Sequence, residues 1–411
     1  MESDRPLQRQ PVKGSLFRKI AAGAMSAVAL CCITLAFSAS LTRQDVAGRD
    51  YIQYWAAGQQ LVHGSNPYNA GDILRLEKAA DHSRTQPEIS FSPPLILPFV
   101  LLLGLFSAKT GLTLLFAVLL AALSVSMWIL WQLHGCPDTL LFLLGFLFAP
   151  LIVCLQAGQI SILLLLGITL FLYFVESRPW LAGVTLFPLT LKPHLFLPFA
   201  VGLLLWVVSR RAYGILAGFF AALGVGLALT FVVDPHAWLQ YKQMIEMQGA
   251  MSQALPTLSQ ILQRFVAPRA LWLQFLPEAA ACGWTVWYFR KQQSRWNWMD
   301  QGLLLLLVSS VCRPYGWFFD ESVLLPAVLT GVLLARKTGR SLWPIAIAGA
   351  AALVETLQRV PVTTLSYVWT APAWLLWYLY ASGRGKSRSL AKLFSHSQEF
   401  VKIGSGSDSR G

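Results

Sequence analysis

Residues 180–208, WLAGVTLFPLTLKPHLFLPFAVGLLLWVV, decide the fold class. Lys192 is the only formally charged side chain in the run. A bilayer-spanning helix takes about 20 apolar residues, so the run is too long for one crossing. Pro188 and Pro193 interrupt it, and the residue before a proline is disfavoured in helix. The pattern predicts two shorter helices, 180–191 and 194–208, meeting at Lys192-Pro193. An ionisable residue at a break inside an apolar run marks a functional position by default. Similar apolar runs lie on both sides, at 20–41, 111–133, 139–155, 159–176, 212–233, 269–289, 301–312, 319–335, 341–357 and 364–381. The first is longer than the roughly 7–15 residues of a signal-peptide core, so it reads as an uncleaved first helix.

Composition agrees. Charged residues make up 12% of the 411 residues and apolar plus aromatic residues 55%, against about 25% charged in a soluble domain. This excludes a cytosolic enzyme, a disordered chain and a disulfide-stapled secreted module. The net charge of +13 sits in islands between apolar runs: Arg210-Arg211, Arg290-Lys291 with Arg295, and Arg336-Lys337 with Arg340. More lies in the tails, at Arg5, Arg9, Lys13, Arg18 and Lys19 and at Arg384, Lys386, Arg388 and Lys392. That is the positive-inside distribution, not the surface cluster of a nucleic-acid binder. The six cysteines, Cys31, Cys32, Cys136, Cys154, Cys282 and Cys312, show no CxxC or Cys/His spacing. They read as free thiols, with no metal site.

The stretch 91–107, FSPPLILPFVLLLGLFS, is short and carries three prolines. Charge placement favours a segment that dips into the membrane and returns on the outer side. The expected fold is an all-α polytopic membrane bundle of about twelve transmembrane helices with both termini inside. It comprises a cytoplasmic basic segment 1–19, a transmembrane domain 20–381 and a disordered cytoplasmic tail 382–411. Outer loops fall at 42–90 and 234–268. Within 42–90, Tyr51, Tyr54, Trp55, Gly58, Leu61 and Val62 recur at helical spacing, and Asp72–Ala80 is amphipathic. These predict two juxtamembrane helices on the outer surface.

Candidate chemistry gathers at the outer ends of the runs. Asp50 opens the first outer helix, where a carboxylate serves either as a general base or as a helix cap. Lys192, His194 and Arg313 are cations placed to hold a phosphate or to snorkel to the interface. Gln156 and Gln159 bind sugar hydroxyls or cap helices. Arg313-Pro314-Tyr315-Gly316-Trp317-Phe318-Phe319-Asp320-Glu321 offers aromatic faces and a carboxylate for a sugar, or forms an interfacial belt. Glu355 and Arg359 read as an ion pair. A secondary transporter also uses broken helices such as 180–208. Its polar groups, however, sit at the midplane rather than at one face, and it shows internal repeats. A non-catalytic membrane scaffold is the third class.

Five motifs in order carry a resemblance. Gly48-Arg49-Asp50-Tyr51-Ile52-Gln53-Tyr54-Trp55-Ala56-Ala57-Gly58 with Gly64-Ser65-Asn66-Pro67-Tyr68 resembles the opening motif of glycosyltransferase family 87. Ser92-Pro93-Pro94-Leu95, Gly158-Gln159-Ile160-Ser161, Ala182-Gly183 leading to Leu191-Lys192-Pro193, and Arg313-Pro314-Tyr315 with Asp320 and Leu324-Leu325-Pro326 resemble its later elements. Ser92 stands where the family has an aromatic, and Arg313 where it has a small residue. The resemblance spans about 48–330. It implies a GT-C-like bundle in a bacterial inner membrane, with an extracytoplasmic active site. It implies inverting transfer of mannose or another hexose or pentose from a polyprenyl-phosphate donor to a lipid or glycan acceptor, without a cofactor. Asp50 would be the base, and Lys192, His194 and Arg313 would hold the donor phosphate. Tyr54, Gln159, Tyr315 and Asp320 would bind sugar or acceptor.

Overall fold

Proline and glycine divide the apolar runs more finely than hydropathy alone indicates. The computed structural model describes residues 28–80, 85–137, 139–248, 255–361 and 365–383. The basic segment 1–19 and nearly all of the tail 382–411 lie outside the described residues. The chain opens with α1 (Val28–Ser40), α2 (Arg43–Ala47), α3 (Tyr51–Val62) and α4 (Ala70–Ala80). Next come α5 (Leu97–Gly104), α6 (Ala108–Leu133), α7 (Thr139–Leu144), α8 (Ala149–Ala157), α9 (Ser161–Phe174) and α10 (Pro179–Thr185). The central part holds α11 (Leu197–Arg210), α12 (Gly214–Val233), α13 (Ala237–Gln248), α14 (Leu258–Val266) and α15 (Leu276–Gln292). The last four are α16 (Leu303–Cys312), α17 (Leu325–Lys337), α18 (Trp343–Leu357) and α19 (Thr370–Ser382). No strand occurs among the described residues.

Three helical stretches have the length and composition to cross a membrane: α6, α12, and Phe318–Lys337, which joins a 3₁₀ turn to α17. Seven shorter apolar helices accompany them. By this measure the described residues do not reach the expected twelve spans, and the breaks explain why. The run 139–155 is not one helix: a 3₁₀ turn at Gly145–Leu147 and extended Phe148 precede Pro150 in the first turn of α8. The run 269–289 starts as a 3₁₀ turn, Leu271–Gln274, and α15 begins only around Pro277. Pro94–Gly104 would reach about 16 Å, roughly half a hydrocarbon core. Residues 180–208 divide at Lys192, whose φ of −142° and ψ of 65° are not helical, between 3₁₀ turns at Phe187–Leu191 and Pro193–Leu195.

Helix α3 departs from the expectation of a surface-lying helix. Eight of its twelve residues are buried. Close approach to α5 makes this possible: a Cβ on Gly58 would lie 2.1 Å from the Val100 carbonyl, and one on Gly104 would lie 2.2 Å from the Gly58 carbonyl carbon. Helices α10 and α12 meet in the same way, through Gly183 against Ile215 and Gly218 against Trp180. Small residues that let backbones touch are a general device of membrane helix packing. Trp298 fills the space between α9, α11 and the turn preceding α16, with ring centroids 5.0 Å from Phe171, 5.4 Å from Phe199 and 5.6 Å from Trp206. The expected Glu355–Arg359 pair does not form. Arg359 follows the end of α18 with φ +55°, and Glu355 accepts from the Trp369 indole at 3.4 Å. All six cysteines are free.

Gly58→Ala should lower the melting temperature of the detergent-solubilised protein, the overpacking costing about 1–3 kcal/mol. Gly349→Ala adds a methyl that meets nothing within 4 Å and should stay within about 0.5 kcal/mol of the parent. Equal melting of the two variants would show that α3 and α5 separate without cost.

Candidate active site

The turn between α8 and α9 sets the site. Gly158 ends α8 in the left-handed conformation, φ +71°, where a Cβ would also lie 2.7 Å from the Tyr51 side chain. Glycine meets both constraints. The Gln159 N–H then donates to the Cys154 carbonyl at 3.0 Å, and Cys154 Sγ donates back to the Gln159 carbonyl at 3.0 Å. This aims the Gln159 side chain, 5% exposed, at α3.

Asp50 occupies the N-cap position of α3 but makes no side-chain cap hydrogen bond. Its Oδ2 instead accepts from Gln159 Nε2 at 2.9 Å. The capping box in this region belongs to Thr42 and Asp45 at the start of α2. Gln159 Oε1 accepts from the Tyr54 hydroxyl at 2.9 Å and makes a longer contact of 3.4 Å with Lys192 Nζ. Lys192, 6% exposed at the break between α10 and α11, pairs with Asp320 Oδ1 at 2.7 Å and stands 4.9 Å from the Phe319 ring. Ser161 donates to the same Asp320 oxygen at 2.7 Å, and the Trp317 N–H donates to Oδ2 at 3.0 Å. Asp50, Tyr54, Gln159, Lys192 and Asp320 thus form one connected network, drawn from parts of the chain far apart in sequence.

Behind Asp320 lies a second buried ion pair. Arg313, 1% exposed, donates to Glu321 Oε1 at 3.1 Å, to Ser310 Oγ at 3.1 Å and to the Trp317 carbonyl at 3.3 Å. Glu321 also accepts from Thr370 at 2.9 Å and from the Trp374 indole at 2.9 Å. Arg313 is therefore enclosed and charge-matched by Glu321, as Lys192 is by Asp320. His194 stacks on Tyr315 with centroids 3.9 Å apart, and its Nε2 is buried without a hydrogen-bond partner. In the turn between two apolar helices, burial pushes this imidazole down to about 3, so it is neutral at physiological pH. Gln156 contributes its carbonyl, which accepts from Arg49.

Ser161 and Glu321 stand in stretches the sequence singles out but carry no individual role there, and Thr370 and Trp374 are new with the structure. Ser161 ends the Gly-Gln-Ile-Ser run and Glu321 adjoins Asp320, so both were within sight of recognised motifs. Thr370 and Trp374 carry no linear signal, because only the folded bundle brings α19 to Glu321. No group of three or more His, Cys, Asp or Glu side chains suited to a metal occurs among the described residues.

Glu321→Gln keeps the side-chain shape but leaves Arg313 without its counter-charge. It should destabilise the protein by about 3–5 kcal/mol. Arg313→Met combined with Glu321→Leu should recover much of that loss in thermal denaturation. A double variant no more stable than the single would assign the loss to packing instead of charge.

Residues 91–314 match one protein-family model, described as Glycosyltransferase family 87. The match takes in Gln159, Ser161, Lys192, His194 and Arg313, and it stops short of Asp50 and Asp320 on either side. No curated protein and no solved structure matches the chain.

Proposed function

The chain belongs to glycosyltransferase family 87, and on that premise we propose that it transfers one sugar from a polyprenyl-phosphate donor to an acceptor hydroxyl with Asp50 as general base. It is a membrane glycosyltransferase; membership in a transferase family displaces the transporter and scaffold readings. The observation that carries the proposal is the placement of Asp50. A carboxylate at an N-cap position that makes no cap bond, and turns across to a buried polar network, is poor helix chemistry and good base chemistry.

In the proposed reaction Asp50 accepts the acceptor's proton as its oxygen attacks the anomeric carbon. The bond from that carbon to the phosphate oxygen breaks, and the lipid phosphate leaves with the electron pair. A single displacement inverts the anomeric centre. The departing phosphate needs positive charge and hydrogen-bond donors more than a proton. Lys192 supplies the charge and His194, with its unpartnered Nε2, a further donor. Arg313, locked on Glu321, holds the wall behind them. Tyr315 offers an aromatic surface to the sugar, which we take to be mannose or another hexose or pentose. The acceptor is a lipid or a glycan. The donor's lipid tail lies in the bilayer, which accounts for a transferase built within it.

The charge distribution supports an extracytoplasmic site, and the family resemblance is what suggests a bacterial inner membrane. Helix α11 runs from the Lys192 break to Arg210-Arg211, about 20 Å away. There Arg210 meets Gln293 at the basic end of α15. Basic clusters face the cytoplasm, so the Lys192 end faces away from it.

Asp50→Asn should lower transfer by about 10²–10⁴-fold. Its melting should stay close to the parent's, since Asp50 makes no cap bond to lose. Asp45→Asn, which keeps a capping side chain, should be mild. The assay is sugar transfer from a polyprenyl-phosphate mannose donor in membranes carrying each variant. Near-parental transfer by Asp50→Asn would overturn the mechanism.

A further inference from the structure

The Gln159 amide is engaged on both sides within the protein. Two donors, the Tyr54 hydroxyl at 2.9 Å and Lys192 Nζ at 3.4 Å, converge on Oε1. Lysine is donor-only, so turning the amide over would set N–H against ammonium and aim Oε1 at the Asp50 carboxylate. The ammonium and the phenol therefore fix the amide in one orientation, with Nε2 donating to Asp50 at 2.9 Å. The backbone fixes its position through the left-handed Gly158 turn and the two bonds to Cys154. Gln159 thus links three elements: α3, the turn before α9, and the break at Lys192.

We propose that Gln159 is a positioning residue rather than a sugar ligand, holding the Asp50 carboxylate in its reactive orientation and coupling it to the Lys192–Asp320 pair. Its catalytic meaning rests on the reading of Asp50 as the base. Among the described charged and titratable groups, Arg49 adjoins Asp50 in the chain and Tyr54 lies one turn along α3, while Lys192 from the break and Asp320 from the turn before α17 connect to it through Gln159. Tyr54 feels both Asp50 and Asp320. Gln159 is the neutral group between Asp50 and the Lys192–Asp320 pair. Replacing it alters what reaches Asp50 while leaving every one of these charges in place.

The test is an infrared titration of the full-length chain in detergent. The carboxyl band of protonated Asp50 is identified as the band absent from Asp50→Asn. A donor hydrogen bond to a carboxylate favours its charged form, and a like charge beside it does the opposite. The titration midpoint of Asp50 should therefore rise by about one unit or more in Gln159→Glu, and by less in the near-isosteric Gln159→Met. With polyprenyl-phosphate mannose as donor, both variants should lose about ten- to a hundredfold in kcat through misplacement of the base, while the donor KM stays within about twofold. An unchanged Asp50 midpoint in both variants, or a loss confined to KM, would overturn the proposal and return Gln159 to sugar binding. If Asp50→Asn transfers sugar normally, the base reading falls, and the midpoint shift still reports the coupling on its own.

Discussion

The 2.7 Å ion pair between Lys192 and Asp320 is the constraint around which the rest of the molecule is arranged. Both side chains are almost fully removed from solvent. Desolvating an ion costs several kcal/mol, which mutual attraction offsets only when geometry and additional hydrogen bonds are good. The fold supplies both. Ser161 and the Trp317 N–H occupy the remaining positions on Asp320, and Lys192 reaches Ser161 and Gln159 as well. For these groups to meet, a long apolar helix has to open at Lys192, α9 has to begin at Ser161, and the chain before α17 has to form a 3₁₀ turn. The irregular backbone occurs where the buried charges are, as expected of membrane folds in which non-helical segments are tolerated only inside protein or beside a cavity.

Asp50 stands at the edge of this arrangement and depends on a different kind of contact. Its helix is held not by charge but by backbone approach, Gly58 against Gly104, over an interface where no side chain fits. The α10–α12 contact does the same for the helix leading to Lys192. Two glycine contacts therefore set the distance between the candidate base and the candidate phosphate site, and Gln159 spans it.

Much of this was legible in the sequence because the relevant signals are local. The break at Lys192-Pro193 follows from proline sterics, and the aromatic Arg313–Glu321 stretch stands out between apolar runs. Asp50 was visible as a position, but whether it caps or reacts is decided by side-chain direction, which sequence spacing does not encode. Among the described residues only three helical stretches are long enough to span, because hydropathy averages over Gly145, Phe148 and the Leu271–Gln274 turn, where the backbone leaves the α-helix. The burial of α3 was missed because its aromatic residues fit an interfacial helix equally well, and only its pairing with α5 shows that both faces are covered. Arg313 stood out as a cation, but its enclosure depends on Thr370 and Trp374, some fifty residues beyond Glu321.

The separation of Lys192 from Asp320 along the chain, 128 residues, also bears on biosynthesis. At roughly 5–20 residues per second, the lysine leaves the ribosome on the order of ten seconds before its counter-charge exists. During that interval the α10–α11 pair enters the bilayer carrying an uncompensated cation. On the proposed topology, which puts this break at the outer face, the ammonium stays in contact with water at the membrane surface until the Asp320 turn arrives. The same interruption that shapes the site thus gives the nascent chain a way to insert before the site is complete.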